Sequence, residues 1–156
     1  MTECLIAFGG NLSNPKVTFQ LALASLVASG FKLKGKSGLW RSPAWPAGSD
    51  QPEYLNAVIG GQYQGEALAL LEQLNAIEDT HGRVRSVPNA ARTLDLDLLI
   101  FGDLECKSEK LTLPHPKMFE RAFVLVPASE VESKWVRYAR ALPESDIREI
   151  RYAGTW

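Results

Sequence analysis

Two carboxylates stand two residues apart inside an otherwise apolar segment, "RTLDLDLLIF", residues 92–101. The alternation predicts a β-strand, because successive side chains of a strand point to opposite faces. Asp95 and Asp97 would then lie side by side on one face, where their charges repel and desolvation costs several kcal/mol per ion unless water or a cation compensates. The residues expected to face the core are Leu94, Leu96, Leu98 and Ile100.

Three arginines lie just ahead of the aspartate pair in sequence, Arg83, Arg85 and Arg92. Mg²⁺ takes one or two carboxylates from a protein and its other ligands from water and substrate phosphates, while arginines give fixed donors to those phosphates. A magnesium-triphosphate site is one interpretation of this combination. A solvated acidic strand face beside a basic surface loop is the alternative, since both are ordinary in antiparallel proteins.

Other polar and aromatic residues could complete such a site. His115 lies between Pro114 and Pro116, and its near-neutral pKa makes it an available donor to a phosphate oxygen or, equally, a structural histidine. Tyr54 and Asn56 share one face of a predicted strand. Together with Trp45 and Phe123 they could hold a flat heteroaromatic ring, or they could simply pack in a core.

The elements that must position these residues follow the order β-α-β-β-α-β. Strands are predicted at residues 3–8, 31–40, 53–63 and 92–101. A first helix is predicted to begin with Asn14 as N-cap and Pro15, to carry Leu23, Leu26 and Val27 on its apolar face and to end at Gly30, and a second helix is predicted at 66–81. This order predicts an α+β fold with a ferredoxin-like βαββαβ core and an antiparallel sheet, with extra strands and a C-terminal helical segment. One extra strand is predicted at "AFVLV", residues 122–126, so that Arg121 and Phe123 share a face.

Length and composition limit the function classes. The 156 residues predict a single domain, and a formal net charge of −1 gives no footprint for nucleic-acid binding. The chain lacks a P-loop motif and the protein-kinase motifs. No apolar run is long enough for a membrane span, and no export signal is visible, so we expect a cytoplasmic protein with two free thiols, Cys4 and Cys106.

Five segments in order resemble the 6-hydroxymethyl-7,8-dihydropterin pyrophosphokinase family of folate biosynthesis, over about residues 5–131. They are "AFGGNLSN", "RSPAWPAGSDQPEYLNAV", "LLEQLNAIEDTHGRVR", "ARTLDLDLLIFGD" and "LTLPHPKMFERAFVLVP". The resemblance implies a monomeric enzyme that transfers the β,γ-diphosphate of ATP to the pterin hydroxymethyl group and releases AMP.

The resemblance also implies roles for individual residues. Asp95 and Asp97 match the pair that binds two Mg²⁺, and Arg83, Arg85 and Arg92 match arginines on or beside a mobile catalytic loop. The nucleotide and phosphate positions are Glu78, Lys110, His115 and Arg121. The pterin positions are the stacking pair Tyr54 and Phe123, the ring-reading amide of Asn56, and the loop residues Ser42, Pro43 and Trp45.

One loop departs from the family pattern, and three rival functions stay open at this point. Pro88 and Asn89 stand where many members have Arg and Trp, so loop closure is expected to differ. A nucleotidyltransferase would also use paired strand aspartates but would release pyrophosphate. The others are an RNA-binding module of ferredoxin-like shape, whose aromatic platform motif the chain lacks, and a pterin-binding protein without catalysis.

Overall fold

The structure, a computed structural model, describes residues 1–44, 50–81 and 93–156. Its strands are β1 Thr2–Gly10, β2 Lys32–Lys36, β3 Leu39–Ser42, β4 Tyr54–Tyr63, β5 Asp95–Phe101, β6 Cys106–Lys107, β7 Thr112–Leu113 and β8 Arg151–Gly154. Its α-helices are α1 Pro15–Ala28, α2 Ala67–Thr80, α3 Ala122–Val131, α4 Val136–Arg140 and α5 Glu144–Arg148, with short 3-10 helices at Pro116–Glu120 and Ser133–Trp135.

Six strands form one antiparallel sheet in the order β5-β1-β4-β3-β8, with β2 paired to the other half of the long strand β4. The elements β1, α1, β2, β4, α2 and β5 reproduce the βαββαβ order, so the α+β ferredoxin-like prediction is confirmed. Strands β3 and β8 are the extra strands, and α4 and α5 make up the C-terminal helical segment.

Helices α1 and α2 cover the same face of the sheet. Asn14 caps α1 by accepting a hydrogen bond from the backbone N–H of Val17, and Gly30 ends the turn after it with a φ of +110°, which favours glycine. The buried stripe of α1 runs through Phe19, Ala22 and Leu26, whereas the predicted Val27 is exposed. The α2 residues in this core are Ala67, Leu70, Leu74 and Ile77.

Helix α3 covers part of the opposite face, and here the prediction of a strand at residues 122–126 is wrong. Leu5, Val58 and Leu99 of the sheet form a second hydrophobic cluster with Val124 and Leu125 of this helix. A short apolar run cannot be assigned to strand or buried helix by periodicity alone. The sheet therefore lies between two hydrophobic layers.

Strand β5 contains an irregularity that changes one facing assignment. Its pairing with β1 shifts between Leu5 and Ile6, which lie opposite Ile100 and Leu98, so Leu99 is an extra residue on β5. Ile100 consequently packs against the second cluster and not, as predicted, on the face that carries Leu98. The bulge lies beyond Asp97, so the predicted alternation of the aspartates is unaffected.

Candidate active site on the α3 face of the sheet

One row of paired residues crosses five strands of the sheet on the face that carries α3. It consists of Asp95, Gly9, Asn56, Trp40 and Tyr152. Residues directly opposite each other in antiparallel strands present their side chains to the same face. Because neighbouring strands lie about 4.8 Å apart, Asp95 and Asn56 are separated by about 10 Å across β1.

The two aspartates lie where the alternation predicts, both half-buried and on one face of β5. Asp97 is paired with Ala7, and Asp95 with Gly9, so the adjacent strand offers only small side chains beside them. Two carboxylates on one face of a strand supply the hard oxygen ligands that Mg²⁺ uses together with phosphate oxygens and water. Among the residues that the structure describes, no group of three or more His, Cys, Asp or Glu side chains could hold a metal ion.

Gly9 leaves a gap between the two halves of this face. A Cβ at Gly9 would lie 3.8 Å from Oδ1 of Asn56 and 4.0 Å from Cβ of Asp95. Both distances are ordinary van der Waals contacts, so a methyl group would fit the protein while filling the gap. The missing side chain therefore opens a direct line from Asp95 to Asn56.

Asn56 is held in one orientation by its neighbours. Its Nδ2 donates to the carbonyl oxygen of Trp40 at 3.0 Å and to Oγ of Ser42 at 2.9 Å, and both Asn56 and Ser42 are only 5% exposed. With both N–H groups used, the side-chain oxygen is the group presented toward Gly9. This amide is a fixed acceptor that selects a ligand with an N–H or O–H donor.

The two aromatic residues expected to stack on a ring come from different elements. Tyr54 opens strand β4, whereas Phe123 lies in the first turn of α3 and not on a strand. Arg121, the residue before α3, places its guanidinium carbon 5.5 Å from the centre of the Phe123 ring. The sequence pattern predicts Arg121 and Phe123 together on a strand face. The structure keeps them together at the start of a helix.

His115 precedes the 3-10 helix Pro116–Glu120 and is half-buried. Burial lowers the pKa of its imidazole, and the nearby charges of Arg121 and Lys117 lower the pKa further. Nδ1 accepts a hydrogen bond from the backbone N–H of Lys117 at 3.3 Å, which places the proton of the neutral ring on Nε2. His115 therefore presents Nε2–H as a donor.

Two further residues of the predicted site have different surroundings. Glu78 is only 1% exposed, and its Oε2 accepts a hydrogen bond from the backbone N–H of Leu96 at 2.8 Å. That bond fixes the part of β5 between the two aspartates. Lys110 is exposed at the turn between β6 and β7.

Four predicted site residues, Trp45, Arg83, Arg85 and Arg92, lie outside the described residues. Ser42 ends β3, and Pro43 follows it as an exposed residue. Three residues near this face were not predicted from sequence: Gly9, Trp40 and Glu130. The carboxylate Oε1 of Glu130 accepts a hydrogen bond from the Trp40 indole at 2.7 Å. No periodic signal marks such residues, because only the strand pairing brings them to the site.

Comparison with known proteins decides the family. Residues 5–133 match the family model described as 7,8-dihydro-6-hydroxymethylpterin-pyrophosphokinase, HPPK. The chain belongs to this family. Its membership confirms the resemblance seen in the five sequence segments.

Relatives and solved structures extend this result. A Haemophilus influenzae 2-amino-4-hydroxy-6-hydroxymethyldihydropteridine pyrophosphokinase is 39% identical over 94% of this chain and 89% of its own length. A Synechocystis protein of the same name is 38% identical over 85% of this chain and 67% of its own. The crystal structure of an HPPK-DHPS chain in complex with substrates superposes with a TM-score of 0.73 at 11% identity, which shows the shared fold. The superposition covers 97% of the present chain but only 48% of that longer chain.

The HPPK match ends at residue 133. It includes the row residues Asp95, Gly9, Asn56 and Trp40 but not Tyr152, which lies in β8. Every described residue assigned to the site lies inside the matched region. Within it, the structure brings together the aspartate pair, the oriented Asn56 amide and the small residues between them. This arrangement can bind a metal-phosphate group at one end and a flat hydrogen-bonding ring at the other.

Proposed function

We propose that the α3 face of the sheet is where this HPPK-family pyrophosphokinase transfers the β,γ-diphosphate of ATP to the hydroxymethyl oxygen of 6-hydroxymethyl-7,8-dihydropterin. The reaction itself, pyrophosphoryl transfer from ATP to hydroxymethyldihydropterin in folate biosynthesis, follows from family membership. The observation that carries the location is the row in which Asp95, Gly9 and Asn56 lie side by side.

The pterin occupies the Asn56 end of the row. A pterin ring carries N–H donors on its edge, which suit the side-chain oxygen that Asn56 presents. Tyr54 and Phe123 stack on the two faces of the ring, and aromatic stacking adds about 0.5–1.5 kcal/mol per pair beyond the buried area. Pro43 and Trp45 contribute to the cover over the ring.

ATP occupies the Asp95 end with two Mg²⁺ ions. Asp95 and Asp97 would hold the ions through their carboxylates, and the chemistry of magnesium favours phosphate oxygens and water as its other ligands. When bound, these ions supply charge neutralisation for the phosphates. Glu78 supports this end by fixing the backbone between the aspartates.

Cationic residues and the neutral imidazole of His115 bind the phosphates between the two ends. His115 donates through Nε2, and Arg121 places its charge against the Phe123 ring, so that a phosphate held there lies next to the pterin. Lys110, Arg83, Arg85 and Arg92 supply further positive charge. The hydroxymethyl oxygen attacks the β-phosphorus in line with the departing AMP, and the hydroxyl proton passes to water. No side chain stands out as an obligatory general base, and positioning and charge carry most of phosphoryl-transfer catalysis.

We further place the enzyme in the cytoplasm as a single-domain monomer that takes neither nucleic acid nor membrane as a partner. Among the described helices, none has the length and apolar character required to cross a membrane.

A product assay tests the proposal. Incubation with the reduced pterin, ATP and Mg²⁺, followed by chromatography of adenine nucleotides, is expected to give AMP and pterin diphosphate in equal amounts. Formation of ADP, release of pyrophosphate, or pterin binding without AMP would contradict it. Release of pyrophosphate would support the nucleotidyltransferase, and pterin binding without AMP would support the pterin-binding protein without catalysis.

The metal assignment is tested by Asp97→Asn. Turnover is expected to fall on the order of 10²-fold or more, because one of two charged magnesium ligands is lost. Asp103→Asn is the matched control, since Asp103 is an exposed carboxylate in the turn after the same strand. Equal activity of both variants would refute the assignment of Asp97.

A further inference from the structure

The two walls of the proposed pterin slot are attached to different layers of the protein. Tyr54 and Asn56 belong to β4 in the sheet, whereas Phe123 belongs to α3, which packs over the sheet. The width of the slot therefore depends on how α3 is held against the sheet. This question arises only if the proposed function is correct, and the inference below rests on it.

We infer that Trp40 and Glu130 are positioning residues for the pterin, because their hydrogen bond fixes the helix that carries Phe123 to the strand beside Asn56. Nε1 of Trp40 donates to Oε1 of Glu130 at 2.7 Å, and the backbone N–H of Gly38 donates to the same oxygen at 3.3 Å. A carboxylate acceptor gives a shorter and stronger bond than a neutral one. This contact ties the C-terminal end of α3 to the start of β3.

Trp40 also contacts the other wall of the slot. Its carbonyl oxygen accepts one of the two hydrogen bonds that orient the Asn56 amide. The same residue thus holds the helix through its side chain and the ring-reading group through its main chain. A shift of Trp40 would change both walls at once.

The geometry of α3 explains how a contact at Glu130 reaches Phe123. The two residues are seven positions apart, which is about two helical turns, so they lie on the same face about 10 Å apart. A tilt of about 6° about the Glu130 end would move the Phe123 ring by about 1 Å, and a misplacement of about 1 Å can cost on the order of 10²-fold in rate.

Apolar packing also holds α3 against the sheet. Val131 packs on Gly60 of β4 so closely that a Cβ at Gly60 would lie 2.8 Å from Cγ1 of Val131. Without the Trp40 to Glu130 bond, this packing contact still holds the end of the helix against the sheet. The buried side chains of Val124, Leu125 and Ala128 also hold α3 on the sheet. Apolar contacts are non-directional, so they constrain the separation of helix and sheet more than the direction of the helix axis.

Two variants remove the bond from opposite sides. Trp40→Phe deletes the N–H donor and keeps an aromatic ring against Tyr152, whose ring centre lies 5.4 Å away. Glu130→Leu deletes the acceptor, whereas Glu130→Gln keeps a side-chain oxygen that can still accept from Trp40. Glu132→Leu is the matched control, because Glu132 is a carboxylate two residues further along that pairs with Lys134 and not with β3.

The readout compares the two substrates. Trp40→Phe and Glu130→Leu are each expected to raise the KM and the directly measured Kd for the pterin about 5- to 20-fold, with less than a 2-fold change in the Kd for a magnesium-bound ATP analogue. Glu130→Gln is expected to restore most of the pterin affinity. The double variant is expected to bind the pterin no more weakly than the single variant with the higher Kd, since both substitutions remove the same bond.

Unchanged pterin affinity in Trp40→Phe and Glu130→Leu, in an enzyme that makes AMP, would overturn the inference and leave the proposed function standing. A lower Tm with equal losses for both substrates would also overturn it, since the bond would then serve stability alone. Failure of the wild-type protein to bind pterin and form AMP would instead refute the proposed function. Fluorescence titration with the pterin substrate and a thermal scan of each variant separate these results.

Discussion

Replacement of Gly9 by alanine should separate stability from activity in this protein. Gly9 lies on β1 between Asn56 and Asp95, and an added Cβ would meet its nearest atoms at 3.8–4.0 Å. These are ordinary contact distances, so the folded chain can accept the methyl group without moving. In the proposed reaction, however, the methyl group stands where the diphosphate approaches the pterin.

The two expected effects have opposite signs. Gly→Ala at an unstrained position stabilises a protein by about 0.4–1 kcal/mol, because the unfolded chain loses conformational freedom. For a chain of this size each kcal/mol raises Tm by about 2–4 °C, so Gly9→Ala should raise Tm by about 1–4 °C. The reacting atoms must approach within about 3.5 Å, and displacement of one substrate by about 1 Å should lower kcat/KM on the order of 10²-fold.

Gly35→Ala is the matched control for this experiment. Gly35 lies on β2, and a Cβ there would also make an ordinary contact, 3.8 Å from Cγ1 of Val131. It should raise Tm to a similar extent and leave AMP formation unchanged. If Gly9→Ala kept the wild-type kcat/KM while folding normally, the substrates would not meet across Gly9 and the proposed transfer path would be wrong.

Three further predictions concern buried or partly buried ionisable groups. Glu78→Ala should lower the free energy of unfolding by about 1–3 kcal/mol, seen as a lower Tm, because the N–H of Leu96 loses its acceptor. Burial and nearby cations lower the pKa of His115 below its ordinary value of 6.5, so below about pH 6.5 the unfolded state binds more protons than the folded state. The Tm of the wild-type protein should therefore decrease as the pH is lowered from 7.5 to 5.5, and the Tm of His115→Gln should decrease less. Burial raises the pKa of Cys4 to about 12, so iodoacetamide at pH 8 should modify Cys106 first, and peptide mass spectrometry showing equal labelling would contradict this.

The aspartate pair could be located from sequence because the signal is local. Strict alternation from Leu94 to Leu98 specifies both the strand and the face, and the bulge at Leu99 begins only after the functional residues. The first helix was similarly readable from its Asn14 cap and the glycine at position 30. In these segments short-range chemistry and the final structure agree.

The segment from Ala122 to Val131 shows where local reasoning fails. Its β-branched and aromatic residues favour a strand, and Pro127 argues against a helix interior, yet the segment is helical and buries Ala122, Leu125 and Ala128 at spacings of three. Packing on the sheet outweighs these intrinsic preferences. The row from Asp95 to Trp40 was equally hidden, because it arises from pairing among four strands that are distant in sequence.

The row also determines which changes of chain length this enzyme can accept. Because side chains alternate along a strand, one extra residue before Phe8 in β1 would turn Phe8 toward the substrates and Gly9 toward α1 and α2. A single insertion would thereby obstruct the reaction centre and damage the core together. Insertions and deletions during the divergence of such enzymes should therefore be confined to the connections between strands, while the strands themselves change only by substitution.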